Sequence, residues 1–400
     1  MATQIDKIFD SFTKSSIFKN KFILQSNYVP ETIQHREKQV ESIASILAPC
    51  LRLERTSNLF IYGKTGTGKT LSILYLKDEL LKRAQKHNTN LAIEYINCKL
   101  KKVADTEYRI LAELIRKLGS TVPATGLPTE AVYNKFIEIL ESKPQLFILV
   151  LDEIDQAIKK ISDDFLYNLM RLNSELNKTQ ISIIGISNDL TFLDNIDPRV
   201  RSSLSEEEIV FPPYNALQLQ DILRARAKNA FKEGVTENGV IEKCAAYAAR
   251  EHGDARRALE LLRVSGDIAE REGGDKVKIE HVDTANEKID KDKIKSFVET
   301  APKQFQIVLL SVITLMERSS EKIFTGDVFN VYNELCLKSH VEVLTARRVS
   351  DIIAEFDMVG IINARVISKG RHGRTREIKL AIPDEEVKKV KTLLLDTLDI

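Results

Sequence analysis

Short apolar stretches that end in a polar or acidic residue recur through the first half of the chain, and the segments between them carry apolar residues at helical spacing. Asn58-Leu-Phe-Ile-Tyr62 reads as a strand and is followed by Leu71, Leu74, Tyr75, Leu80 and Leu81, which recur as on one face of a helix. Leu91–Asn97 reads as a second strand, and helical stretches near 105–118 and 129–142 follow it, joined by a loop with Pro123, Gly126 and Pro128. Gln145-Leu-Phe-Ile-Leu-Val-Leu-Asp152 shows no apolar–polar alternation, as expected of a parallel strand covered on both faces. A helix near 163–176, a buried strand over Gln180–Asn188 and a last strand over Glu208–Phe211 complete this part. Ahead of it, 1–27 reads as an arm spaced with Phe9, Phe12, Phe18 and Phe22. A helical pattern through Ile33, Val40, Ile43, Ile46 and Leu47 then carries His35-Arg36-Glu37.

Pro212-Pro213 ends that regime. The following segment is Ala- and Arg-rich, predicts helices near 216–230, 237–249 and 254–271, and offers no convincing strand. Beyond about 293 the pattern shifts again, to helices near 302–317, 325–338 and 344–357 and then two alternating strands across 361–381 joined by a Gly-rich turn. Three helices and a hairpin predict a winged helix, a variant of the helix-turn-helix. The expected architecture is therefore α/β: a parallel-sheet base over 1–211, an α-helical lid over 212–292 and a winged-helix domain over 293–400.

The loop after the first strand supplies the first candidate chemistry. Gly63-x-x-x-x-Gly68-Lys69-Thr70, set between strand and helix, is the pattern of a P-loop. Its glycines let successive N–H groups of Thr65, Gly66, Thr67 and Gly68 face a phosphate chain. Lys69 would reach the β- and γ-phosphates, and the Thr70 hydroxyl would ligate Mg²⁺. Asp152 and Glu153 stand at the carboxyl end of a buried strand, where open α/β sheets bind ligands. Asp152 there suits Mg²⁺ held through its water shell, and Glu153 suits activation of the attacking water. A complete strand lies between the P-loop and the acid strand, which is the order of ATPases with an additional catalytic glutamate. Asn188 ends the next strand, where an amide either bonds the γ-phosphate and the lytic water or serves a turn.

Two arginine groups are less determinate from the residues alone. Arg199 and Arg201, before the last strand, read equally as surface charges; Arg256, in the first turn of a helix capped by Asp254, points either to water or to the nucleotide. The hairpin is more telling. From Asn363 to Arg376 the chain has Arg365, Lys369, Arg371, Arg374 and Arg376, with His372 and no acid, in a protein whose formal net charge is +1. Arg347 and Arg348 open the third helix, whose amino-terminal end enters the major groove in this class. Duplex DNA is the expected partner, with wing-to-phosphate contacts supplying affinity and the helix reading bases; the alternative is a solvated hairpin in a protein-binding winged helix.

Charge and cysteine usage narrow the setting. A net charge of +1 means that any polyanion must be met by a local patch. No run of eighteen apolar residues occurs and the amino terminus lacks the basic-then-apolar order of a signal peptide, so no membrane partner and a cytoplasmic, nucleoid-associated location are expected. Cys50, Cys98, Cys244 and Cys336 lie far apart, without metal-ligand spacing, and read as reduced core thiols.

With these motifs in order, nearly the whole chain resembles the archaeal origin-recognition initiators of the AAA+ class, related to the eukaryotic origin-recognition complex and its helicase-loading partner. Gly66-Thr-Gly-Lys-Thr70, Asp152-Glu-Ile-Asp155 and Ser187-Asn188 resemble the two Walker motifs and sensor 1. Gly253-Asp-Ala-Arg256 is similar to sensor 2, which implies that Arg256 reaches from lid to phosphate. Tyr28-Val29-Pro-Glu31 with His35-Arg36-Glu37 resembles the family's adenine-side element, implying nucleotide contacts from Val29 and Arg36. Tyr214 and Arg226 stand where the family's lid meets the nucleotide. The helical insertion between about 103 and 130 resembles an initiator-specific element that touches DNA. One departure is visible: AAA+ relatives place an arginine finger around Ser202-Ser203, and this chain offers Arg199 and Arg201 just upstream instead.

The resemblance implies a DNA-replication initiator whose ATP or ADP, with Mg²⁺, acts as a slow switch. It would bind double-stranded origin DNA and help recruit or load the replicative helicase, with paralogous initiators as further partners. Two alternatives stand beside it: a clamp-loader subunit, which should carry an oligomerising helical collar that the basic hairpin fits poorly, and an ATP-gated transcription regulator.

Overall fold

The computed structural model describes residues 17–99, 106–123, 125–204, 206–318, 322–368, 374–382 and 384–398. Phe9 and Phe12 of the arm, and Lys369, Arg371 and His372 of the wing, lie outside these. The chain divides into two compact units, Met1–Val282 and Asp283–Ile400.

In the first unit, helix α1 (Glu37–Leu47) leads to strand β1 (Asn58–Tyr62), the P-loop and helix α2 (Lys69–Lys86). Strand β2 (Leu91–Asn97), helices α3 (Glu107–Lys117) and α4 (Thr129–Leu140), and strand β3 (Gln145–Asp152) follow. Then come α5 (Ile154–Ile161), α6 (Asp164–Glu175), β4 (Thr179–Ser187), α7 (Pro198–Leu204) and β5 (Glu206–Val210). The five strands form one sheet in the order β2-β3-β4-β1-β5, every pair parallel. The P-loop strand is thus separated from the acid strand by β4.

Every residue of β3 is buried, which explains its unbroken apolar run. Phe147, Leu149 and Leu151 pack with Leu111, Leu114 and Phe136 of α3 and α4. Leu146, Ile148 and Val150 turn to the other face, against Ile43, Leu47, Ile73 and Leu76 of α1 and α2. Each such side chain contributes roughly 1.5–3 kcal/mol by leaving water, so the two apolar layers fix the height at which Asp152 emerges.

Helices α8 (Ala216–Ala230), α9 (Val240–Arg250) and α10 (Ala255–Arg271) form the lid, and α11 (Ile279–Thr300) crosses from the first unit into the second. The amino-terminal segment belongs to this lid. Phe18 forms a β-bridge with Phe231, the backbone N–H groups of Lys19 and Asn20 donate to Ala230 O, and Lys21 pairs with Asp267.

The second unit contains α12 (Lys303–Arg318), β6 (Ile323–Phe324), α13 (Thr325–Lys338), α14 (Ala346–Val359), β7 (Ile362–Ser368), β8 (Arg374–Leu380) and α15 (Asp384–Leu398). The sheet order β6-β8-β7, with antiparallel pairing throughout, completes the winged helix.

Several elements differ from the pattern-based reading. The first helix begins at Glu37, not near Ile33, because His35 adopts a left-handed φ of 60° that no helix continues through. The pattern does not reveal helix α5, because it starts in the acid-rich turn after β3, nor the 22-residue α11 and the terminal α15. Among the described residues no helix is long and apolar enough to cross a membrane.

Candidate nucleotide site

The carboxyl ends of β1, β3 and β4 bring Lys69, Thr70, Asp152, Glu153 and Asn188 to the wall of one cavity of about 970 Å³. The lid contributes Tyr214, Arg226 and Arg256 to it, the amino-terminal segment contributes Val29, and the P-loop contributes Thr65, Gly66, Thr67 and Gly68. Gly63 and Arg36, both expected at the nucleotide, do not line the cavity but bond to residues that do. Gly63 O accepts from Lys69 Nζ at 2.6 Å, and Arg36 Nε donates to Thr67 O at 2.9 Å.

The P-loop glycines answer to the lid as well as to a phosphate chain. Gly66 has φ +73°, and a Cβ there would sit 1.7 Å from Asp254 Oδ1; a Cβ on Gly68, φ +93°, would meet the Tyr214 hydroxyl at 2.7 Å. The lid therefore approaches the loop backbone more closely than any side chain permits. Ala255 N–H donates to Gly66 O at 3.2 Å across that contact, while Asp254 caps α10 by accepting from the N–H groups of Arg256 and Arg257.

Lys69 is 6% exposed and donates to Gly63 O, Lys64 O (2.9 Å) and Asn188 Oδ1 (2.9 Å). Burial pulls its ammonium down from 10.5 to about 8; Asp152 opposes that shift and Arg256 adds to it. A cationic Lys69 is thus costly until an anion shares the cavity.

Asp152 is 4% exposed, and donors surround its carboxylate. Oδ2 accepts from Thr70 Oγ1 at 2.9 Å and from the Tyr95 hydroxyl at 2.7 Å; Oδ1 accepts from Glu153 N–H at 2.9 Å. Burial first, and the Asp152 charge second, push the Tyr95 phenol well above its usual value, so it stays a donor. The Thr70 hydroxyl and the Asp152 carboxylate are hard oxygen ligands of the kind a largely hydrated divalent cation prefers. Glu153 occupies the left-handed region (φ 53°, ψ 44°) as it enters α5, a conformation that costs a non-glycine residue about 1 kcal/mol or more. Its carboxylate lies 3.7 Å from Lys99 Nζ. Ser187 Oγ donates to Asp155 Oδ1 at 3.2 Å and ties the end of β4 to α5.

Sequence reasoning missed Tyr95, Lys99 and Asp254 as contributors. In sequence Asp254 reads only as a helix cap, and its approach to Gly66 follows from lid placement alone. Arg226, 8% exposed, stacks on Tyr28 with its guanidinium carbon 4.6 Å from the ring centroid and donates to Ile23 O at 3.3 Å, so it also anchors the amino-terminal segment. Arg36 stacks on Tyr214 at 3.8 Å and bonds Pro212 O, joining base to lid. Arg199 pairs with Asp197 at 3.0 Å and Arg201 with Asp194 at 3.0 Å on the exposed α7 surface, away from the cavity lining.

In the second unit Arg347 and Arg348 are exposed at the start of α14. Arg376 is held against the same helix by Ser350, and Arg374 begins β8.

A P-loop facing an Asp-Glu strand end across an intervening strand, beneath an arginine-bearing helical lid and followed by a winged helix, defines an AAA+ ATPase with a winged-helix appendage. Family comparison agrees piece by piece. Residues 52–192 match the AAA domain, 220–287 the Cdc6 AAA+ ATPase-type lid domain and 296–390 the CDC6 C-terminal winged helix domain. The chain is 51% identical over 391 residues to an ORC1-type DNA replication protein of Thermococcus onnurineus, covering 96% of this chain and 94% of that one. It is 50% identical over 392 residues to ORC1-type DNA replication protein 1 of Methanosarcina mazei, covering 97% and 94%. The solved structure of the Aeropyrum pernix ORC1 protein in complex with DNA superposes with a TM-score of 0.84 at 42% identity, covering 96% of this chain and 98% of that one. The chain belongs to the ORC1-type DNA replication protein family.

Proposed function

We propose that this protein is an ATP-controlled replication initiator that grips duplex origin DNA and hands that site to the replicative helicase, with paralogous initiators as neighbours on the same DNA. The observation that carries this reading is the near-full-length identity to ORC1-type replication proteins, joined to the likeness to an ORC1 protein solved on DNA. The exposed Arg347 and Arg348 on α14 support the DNA contact, and Arg365 on β7 adds a further exposed cation.

In this reading ATP or ADP lies between the P-loop and the lid. Bound Mg²⁺ would neutralise and orient the phosphate oxygens. Thr70 and Asp152 supply the oxygens that would hold it. Lys69 offers its ammonium to the β- and γ-phosphates, Asn188 keeps that ammonium aimed, and Glu153 accepts the proton of the attacking water. Arg256, on the lid, senses the phosphate end and so ties lid position to nucleotide state. Lys99 gives the Glu153 carboxylate a competing partner, which suits slow turnover and a switch more than a motor. Arg199 and Arg201 are engaged by acids of their own segment. Neither is pre-aimed as a finger for a neighbouring subunit.

The test is fluorescence anisotropy on labelled duplexes spanning a replication origin or a promoter, with ATP, with ADP and after nucleotide removal. The expected result is origin preference that depends on nucleotide in the parent and loses that dependence in Lys69→Ala and Asp152→Ala. Equal binding to both duplexes, indifferent to nucleotide, would sink the reading.

A further inference from the structure

Tyr95 is the donor to Asp152 that no motif anticipates. On β2 it pairs in register with Val150 of β3, two residues before Asp152, and Asn97 is level with Asp152 itself. Side chains two apart on a strand share a face, and the two-residue rise is about 6.6 Å, a span that a tyrosine side chain covers. The phenol therefore arrives at Asp152 Oδ2 from the β2 side, while Thr70 reaches the same oxygen from α2. Glu153 N–H holds the other oxygen.

The tail of β2 is itself ordered. Asn97 Oδ1 accepts from Lys99 N–H at 2.9 Å. The Tyr95 ring packs on the apolar layer that contains Ile148, Val150 and Ile73, so the donor is carried on a rigid support.

We propose that Tyr95 is a positioning residue: its hydroxyl fixes the plane of the Asp152 carboxylate and thereby sets how readily Mg²⁺ tightens nucleotide binding. A carboxylate turns about its last torsion in a broad, roughly two-fold well. Without the phenol, Oδ2 is held by Thr70 alone, and Thr70 is the hydroxyl that must turn to the metal. With the phenol, the carboxylate keeps its orientation when Thr70 changes partner. Outer partners of this kind commonly alter metal affinity 10–100-fold. The inference rests on the assignment of Mg²⁺ to Thr70 and Asp152.

The experiment measures equilibrium binding of a fluorescent ATP analogue to the full-length protein, stripped of nucleotide, during titration with magnesium chloride from an EDTA baseline. Tyr95→Phe keeps the ring and removes the hydroxyl; it is expected to melt as the parent does and to bind the analogue equally in EDTA. It should need about tenfold more magnesium for half-maximal tightening. An unchanged midpoint in Tyr95→Phe, alongside raised midpoints in Thr70→Ala and Asp152→Asn, would overturn the role of Tyr95 and leave the metal assignment standing. If Thr70→Ala and Asp152→Asn do not move the midpoint either, the metal assignment fails and the proposal with it.

Discussion

Arg376, on the strand that returns from the hairpin, donates to Ser350 O at 2.6 Å and to Ser350 Oγ at 2.7 Å on α14. The guanidinium thus braces the helix for which we propose the DNA contact. Losing the brace and losing a phosphate contact have different signatures. Arg376→Ala should weaken duplex binding roughly tenfold while leaving the dependence of log Kd on log salt nearly unchanged. Arg347→Ala or Arg348→Ala should lower that slope by about one. Anisotropy titrations at several salt concentrations separate the two.

The contact of Gly66 with the Asp254 carboxylate makes a coupled prediction. Gly66→Ala places a methyl group where Asp254 Oδ1 stands, in a backbone conformation with φ +73°. Destabilisation of about 1–3 kcal/mol and loss of nucleotide binding are expected. Asp254→Ala should cost about 1 kcal/mol as a lost helix cap. The double variant should be less damaged than the two costs added, because the clash is gone. Denaturant unfolding of the three variants and the parent provides the comparison.

Lys69 predicts a pH dependence with a definite sign. Its folded value, about 8, lies below the ordinary 10.5, with burial as the main cause. Between those values the unfolded chain holds a proton that the folded protein has released. Stability of the nucleotide-free protein should therefore rise with pH across that window, and well below 8, where folded and unfolded chains both hold the proton, this group should add no pH dependence. Phosphate anions favour the ammonium, so nucleotide binding at pH 8 should take up about half a proton. Calorimetry in two buffers of different ionisation enthalpy reads that uptake, and Lys69→Met should abolish it.

Arg226 links α8 to the amino-terminal segment through the Tyr28 ring and Ile23 O. Arg226→Ala should release the cavity-lining stretch 25–34, speed its proteolysis in the absence of nucleotide, and weaken ATP binding about tenfold by loss of a stacked, buried cation contact of ~1–2 kcal/mol. Timed digestion with mapping of the cut sites, and nucleotide titration, check both parts.

Much of the fold was legible because local and global demands agree. The unbroken apolar run of β3 reads as a strand covered twice, and the glycines before Lys69 are intelligible from phosphate chemistry alone. Asp152, Glu153 and Asn188 stood out because each ends such a strand. Tyr95 did not stand out, since a tyrosine between Glu94 and Ile96 reads as a packing residue until the register with β3 is known. Lys99 and the acids beside Arg199 and Arg201 are ordinary surface charges in one dimension. Helix α15 escaped notice because its apolar face acquires meaning only against α12 and the rest of the winged-helix core, where Val390 and Leu394 are buried.

By itself the order of residues determined the class: strand, phosphate loop, acid pair, polar strand end, arginine-bearing lid and cationic hairpin follow from spacing and periodicity, which are local properties of the chain. Tertiary structure alone decided which side chains confront one another. Parallel register set Tyr95 against Asp152, lid packing pressed Asp254 onto Gly66, and the hairpin turned Arg376 back onto Ser350. Such contacts depend on distances between segments far apart in sequence, and those distances are fixed only when the apolar layers close-pack.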